Sequence, residues 1–141
     1  MALRFEVSVL VPRPVEEVFD HVVEPALLSS YFTSEASGPL EAGKTVRWTW
    51  KSGDTETLDV EAVERNRRVV FTWRAFKVEE KTRVTIALTA EESGRTRVRI
   101  AEEGWKEDAK GIAFAFEHCA GWEHMLVSLK ARMAFGIDLR S

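Results

Sequence analysis

Two runs of alternating polar and apolar residues, Arg83–Glu91 and Arg95–Glu103, flank the three residues Glu92, Ser93 and Gly94. A three-residue hairpin loop with glycine in the left-handed position closes such a pair, and closing it sets the register of both strands. Leu88 then faces Val98, Ile86 faces Ile100 and Val84 faces Glu102. Thr89, Ala87, Arg97 and Arg99 take the opposite surface, because strand side chains alternate with period two. One face of the hairpin is therefore apolar except at its end, where Glu102 is directed inward.

Three further alternating runs precede the hairpin, at about Thr45–Lys51, Thr57–Glu64 and Arg68–Phe76. Short loops join them, so an antiparallel meander is the simplest topology. A four-residue loop at Lys77–Glu80 predicts Trp73 opposite Val84, Phe71 opposite Ile86 and Val69 opposite Leu88. A similar loop at Glu64–Arg67 aligns Leu58, Val60 and Ala62 with the same rows. Glu102 then shares a row with Leu58, Trp73 and Val84, and Trp48 and Trp50 extend the inner face.

At the N-terminus, Arg4–Val11 alternates as a strand. Pro14 suits the first position of a helix whose dipole Glu16 and Glu17 favour, and Pro25 starts a second short helix carrying Leu28, Tyr31 and Phe32. Ser34–Leu40 reads as loop with room for an edge strand. From Lys110 to Phe135 the chain has the length of one long helix, and Cys119, Trp122, Leu126, Leu129 and Met133 fall on one stripe. Gly121, a poor helix former, predicts close approach of another group at that point.

A concave face with so many large side chains must be covered, and the C-terminal helix is the one long apolar element left to do so. The expected fold is a single α+β domain over residues 1–141, a curved antiparallel sheet wrapped around a long C-terminal helix, with two short N-terminal helices closing one end. A cavity between sheet and helix in such a fold suits apolar molecules.

Several functional classes are disfavoured. A composition of 45% hydrophobic and 30% charged residues is globular, and a net charge of -3 gives no general attraction to nucleic acid. No run approaches the roughly 20 apolar residues of a membrane span, and the alternating N-terminus lacks a signal-peptide core, which makes the cytoplasm the expected location. The lone Cys119 has no partner for an internal disulfide and reads as a small buried side chain.

His118 and His124 stand about 240° apart around a helix, so they do not converge on a metal, and His21 has no nearby partner in sequence. No nucleophile elbow, phosphate-binding glycine loop or Cys-x-x-Cys pair occurs. No catalytic residue, metal or cofactor is assigned. Arg83, Arg95, Arg97 and Arg99 read as the solvated outer face, with Glu103 opposite Arg83.

Five groups of residues carry a resemblance. They are the opening strand with Pro14, Val15, Glu17, Val18 and Phe19; Pro25, Leu28 and Phe32; Arg68, Val69, Val70, Phe71, Thr72 and Trp73; Glu103, Gly104 and Trp105; and Gly121, Trp122, Leu126, Leu129 and Lys130. Through them nearly the whole chain resembles the START-like, or SRPBCC, superfamily with its helix-grip fold, shared with Bet v allergen-like proteins. Within it the chain is similar to the Aha-type family of heat-shock-protein-ninety ATPase activator homologues. Tyr31 stands where a tryptophan is common, and Ala42-Gly43 replaces a more glycine-rich turn. The family's namesake resembles a longer protein with a separate chaperone-binding domain, for which 141 residues leave no room. Chaperone ATPase stimulation is accordingly not expected of this chain by itself.

The leading functional expectation is binding of a small hydrophobic or amphipathic molecule, such as a lipid, by Trp48, Trp50, Phe71, Trp73, Ile86, Ile100, Glu102 and Trp122. One alternative is a chaperone-cofactor or protein-interaction module, marked by a filled interior and an exposed apolar patch. Another is a cyclase, dehydratase or hydrolase-like enzyme, since fold alone does not choose among functions. If Glu102 is buried without a cationic partner, desolvation raises its pKa and lets it donate to a ligand oxygen.

Overall fold

A computed structural model describes residues 2–140. Along the chain run β1 (Arg4–Val11), α1 (Val15–Val23), α2 (Pro25–Leu28), β2 (Glu35–Ala36), β3 (Thr45–Thr49), β4 (Thr55–Glu64), β5 (Arg68–Trp73), β6 (Thr82–Glu91), β7 (Arg95–Glu103) and α3 (Ala109–Phe135). The strands form one curved antiparallel sheet in the order β1-β7-β6-β5-β4-β3-β2. This is the helix-grip architecture. No described helix is long and apolar enough to cross a membrane.

The β6–β7 hairpin has the register derived from its turn, with Leu88 opposite Val98, Ile86 opposite Ile100 and Val84 opposite Glu102. Ser93 and Gly94 both adopt positive φ, 63° and 68°, to make that turn. The edges of the sheet follow from short loops and polar alternation, and β1 closes the far side by pairing with β7.

Between β5 and β6 the register differs from the sequence expectation by two residues. Phe71 faces Val84, Val69 faces Ile86 and Trp73 faces Thr82. The cause is the connection, which runs over residues 74–81 rather than as a four-residue loop. Ala75 and Val78 are buried in it, and the Val78 N–H bonds the Ala75 carbonyl at 2.9 Å. A shift of two preserves parity, so the inward residues of β5 and β6 stay inward; on β4 a bulge turns Ala62 outward and puts Val63 opposite the inward Val69. Glu102 nevertheless shares its row with Phe71 and Val60, not with Trp73. That bulge, between Val60 and Ala62, sets Ala62 opposite Val70 rather than Val69.

Helix α3 starts at Asp108, whose side chain accepts from the Gly111 N–H at 2.8 Å, an N-cap that satisfies an otherwise orphaned donor. Gly111 is required there, because a Cβ would collide with the Lys106 carbonyl. Gly136 ends the helix in the left-handed conformation, φ 67°. Ala115, Trp122, Met125, Leu126 and Leu129 bury the inner stripe against the sheet, while Cys119 and Met133 are only half-buried. Trp48, Phe71, Ile86 and Ile100 on the facing sheet are all fully buried, so the interior between sheet and helix is filled. Edge-to-face packing of Trp48 against Phe32, Trp50, Phe71 and Trp73, at centroid distances of 5.6, 6.2, 5.7 and 6.3 Å, leaves its indole N–H without an acceptor.

Candidate functional site

The inward direction of Glu102, set by the Glu92–Gly94 turn, brings its carboxylate to the place where β5, β6 and α3 meet. It is fully buried. Its Oε2 accepts from Trp73 Nε1 at 2.9 Å and from Thr82 Oγ1 at 2.6 Å, and its Oε1 accepts from Trp122 Nε1 at 2.8 Å. His118 Nδ1 lies 3.0 Å from Oε1 and 3.2 Å from Oε2. An isolated buried carboxylate is costly, and one surrounded by aligned donors is tolerated.

Burial alone pushes the Glu102 pKa up. The His118 hydrogen bond and charge, then the Thr82 and Trp73 hydrogen bonds, outweigh that and hold it below the ordinary glutamate range. The condition for a protonated, ligand-donating Glu102 is therefore not met. Its lone pairs are engaged by the protein itself, and it does not line an open space.

Above this knot lies a cleft of about 670 Å³. Its aromatic walls are Phe32, Trp50, Trp73, Phe76 and Trp122; His118, Asp54, Glu56 and Glu117 supply its ionisable groups. Trp73 and Trp122 stack with centroids 5.5 Å apart and planes at 27°. His118 lies edge-on to Trp73 at 5.9 Å and to Trp105 at 4.8 Å. Glu56 accepts the Phe76 N–H at 3.1 Å; burial raises its pKa, with that bond and the nearby His118 opposing. A second hollow, about 710 Å³, lies between the β5–β6 connection and the start of α3. It is ringed by charge, including Lys106, which pairs with Glu79 and Asp108 at 3.7 Å each.

Gly121 opens the cleft. A Cβ built there meets nothing within 4 Å, so the expected close approach by another part of the protein is absent. The missing side chain enlarges the cleft instead.

Of the residues expected to contact a ligand, Trp50, Trp73 and Trp122 line the cleft. Trp48, Phe71, Ile86 and Ile100 are core side chains behind it, and Glu102 lies beneath its floor. The open space is thus at one end of the sheet–helix interface, where loops meet α3, rather than enclosed along its length.

Phe32, Phe76, Glu56, Thr82 and His118 were not among those expectations. Thr82 has the inward parity of Val84 and Ile86 in either register, and the two-residue shift brings it into the ladder opposite Trp73. His118 had a readable signal, since 111, 115, 118, 122, 125 and 129 progress by alternating steps of four and three, which puts it on the buried stripe in place of Cys119. Glu56 also had one, since it shares the parity of Leu58 and Val60 on β4 and stands opposite Trp48. Phe76 has none, because it stands in the connection after β5.

Residues 12–134 match the family model described as activator of Hsp90 ATPase homolog 1-like protein. A crystal structure from Staphylococcus saprophyticus, protein SSP2350, is 27% identical with a TM-score of 0.84, over 98% of this chain and 96% of that one. The Aha1 dimer from Colwellia psychrerythraea is 21% identical with a TM-score of 0.80, over 95% and 98%. CalU16 from Micromonospora echinospora is 21% identical with a TM-score of 0.78, over 99% and 79%. At 21% identity the latter two are alike in fold. No curated protein matches the sequence.

Proposed function

The chain belongs to the family of activator of Hsp90 ATPase homolog 1-like proteins, and from that premise we propose that it is a receptor for a small, flat, apolar molecule held in the cleft beside Gly121. Family and fold are those of a module that binds a ligand or a partner. The observation that carries the finer reading is the stacked Trp73–Trp122 pair at the cleft wall, joined with the open space over Gly121. Aromatic faces arranged this way favour an aromatic guest, which gains area burial and stacking together. Asp54, Glu56 and Glu117 place negative charge at the cleft with no lysine or arginine among its lining, which disfavours an anionic guest.

Native mass spectrometry of freshly purified protein, combined with a titration of 1-naphthol followed by tryptophan fluorescence, tests this reading. A retained small mass or saturable quenching supports it. An unliganded mass with no quenching counts against it.

A second reading, as a protein-interaction module, draws on a different observation. The interior is filled, and Ile112, Phe116 and Val127 stand 42%, 71% and 45% exposed along the outer side of α3. Sedimentation that depends on concentration in the parent and not in Phe116→Asp favours it.

A further inference from the structure

A receptor that only holds apolar molecules has no use for an oriented imidazole at its wall. His118 lines the cleft with its side chain 17% exposed, while Glu102, which binds its Nδ1, is fully buried. The part of the ring that borders the cleft is therefore the part away from Glu102, which includes Nε2. An ionised carboxylate only accepts hydrogen bonds, so Nδ1 carries the shared hydrogen and a neutral His118 keeps its lone pair on Nε2. Trp73, Thr82 and Trp122 hold the carboxylate from its other sides and so restrict the ring's orientation. This division of roles, a buried carboxylate orienting an imidazole whose far nitrogen exchanges protons, is the chemistry of a general base.

We propose that the cleft is a proton-transfer site, in which His118 Nε2 is the catalytic base toward an activated C–H of a neutral aromatic carbonyl compound and Glu102 is the positioning residue. The proposal rests on the reading of the cleft as a receptor for a flat apolar molecule. In the step, Nε2 takes the proton and the C–H electron pair remains on the guest, moving into its carbonyl to form an enolate. The resulting imidazolium is balanced by the Glu102 carboxylate. Where the guest carries a double bond β,γ to that carbonyl, the pair spreads over a dienolate, and return of the proton at the γ-carbon completes an isomerisation with no change of oxidation state. Glu56, across the cleft with its pKa raised by burial, is a nearby acid able to hydrogen-bond the enolate oxygen when protonated.

The probe is 5-nitrobenzisoxazole, a flat neutral aromatic. Removal of its C3 proton forms a nitrile from the C–H electron pair, breaks the N–O bond and releases a coloured phenolate. The expected result is a saturable rate, with kcat/KM at least about a hundredfold above free imidazole at the same pH. His118→Gln should remove the acceleration while the probe still quenches the cleft tryptophans. Glu102→Gln should lower kcat with KM nearly kept and change the pH profile; His118→Gln decides the matter if that variant does not fold. Saturable quenching without acceleration, or acceleration that survives in His118→Gln, overturns the proposal and leaves the receptor reading standing. Failure of the probe to quench or saturate at all counts against both.

Discussion

Trp73 on β5 and Trp122 on α3 stack 5.5 Å apart and donate their indole N–H groups to different oxygens of one carboxylate, that of Glu102. Sheet and helix are thereby joined through a buried charge on β7, and the same two rings form the wall of the cleft above it. The stabilising knot and the proposed receptor share their residues.

Removing the carboxylate should be severe. Glu102→Leu leaves two indole N–H groups, the Thr82 hydroxyl and the His118 Nδ1–H without their acceptor. Breaking a buried charged network of this kind costs about 3–5 kcal/mol. Glu102→Gln is milder, about 1–3 kcal/mol, because its carbonyl still accepts while its NH2 faces at least one indole N–H. Urea denaturation of both variants checks the order.

Acid should weaken the fold through the same group. The Glu102 pKa is lowered in the folded protein, so its contribution is fully present above the ordinary glutamate value and is lost as pH falls through the folded value. Parent and Glu102→Gln should therefore converge in stability as pH drops across that window. Denaturation curves at a series of acid pH values measure the convergence.

Arg140 donates to the carbonyls of Ser29, Phe32 and Thr33 and to the Asp138 carboxylate. The Arg140 side-chain and backbone bonds to Asp138 hold its pKa at about 2, and those to the three carbonyls tie the chain after α3 to the segment bearing Phe32, a cleft wall. Arg140→Ala should raise the Asp138 pKa toward the ordinary aspartate range, increase amide exchange over residues 29–33 and weaken 1-naphthol binding several-fold. Carboxyl NMR, hydrogen exchange and fluorescence titration report these separately.

Much of the fold is legible in the sequence, and the reason is the length of the alternating runs. Ile86 and Ile100 face each other because a three-residue turn and a period of two leave no other arrangement. The two-residue error at Trp73 arose because Ala75 and Val78, buried in the β5–β6 connection, lengthen what composition presents as a short charged loop. Parity concealed the error, keeping Glu102 inward while hiding Thr82 as its partner. The candidate site was legible in part. Trp50, Trp73 and Trp122 border the cleft, but Trp48, Phe71, Ile86 and Ile100 are core, because helix and sheet approach closely enough to expel the cavity. His118 was legible only on the stripe starting at Gly111, and its pairing with Glu102 depends on a packing distance that no local pattern encodes.

Gly121 offers the most direct test of the central claim, that a small apolar molecule occupies the cleft. A side chain there enters open space, and replacing glycine within a helix contributes about 0.5–1 kcal/mol. Measuring 1-naphthol affinity and folding stability side by side in the parent and Gly121→Leu separates the site from the scaffold. The account predicts stability equal to or above the parent with affinity reduced at least tenfold. Equal affinity in a stably folded Gly121→Leu would contradict it.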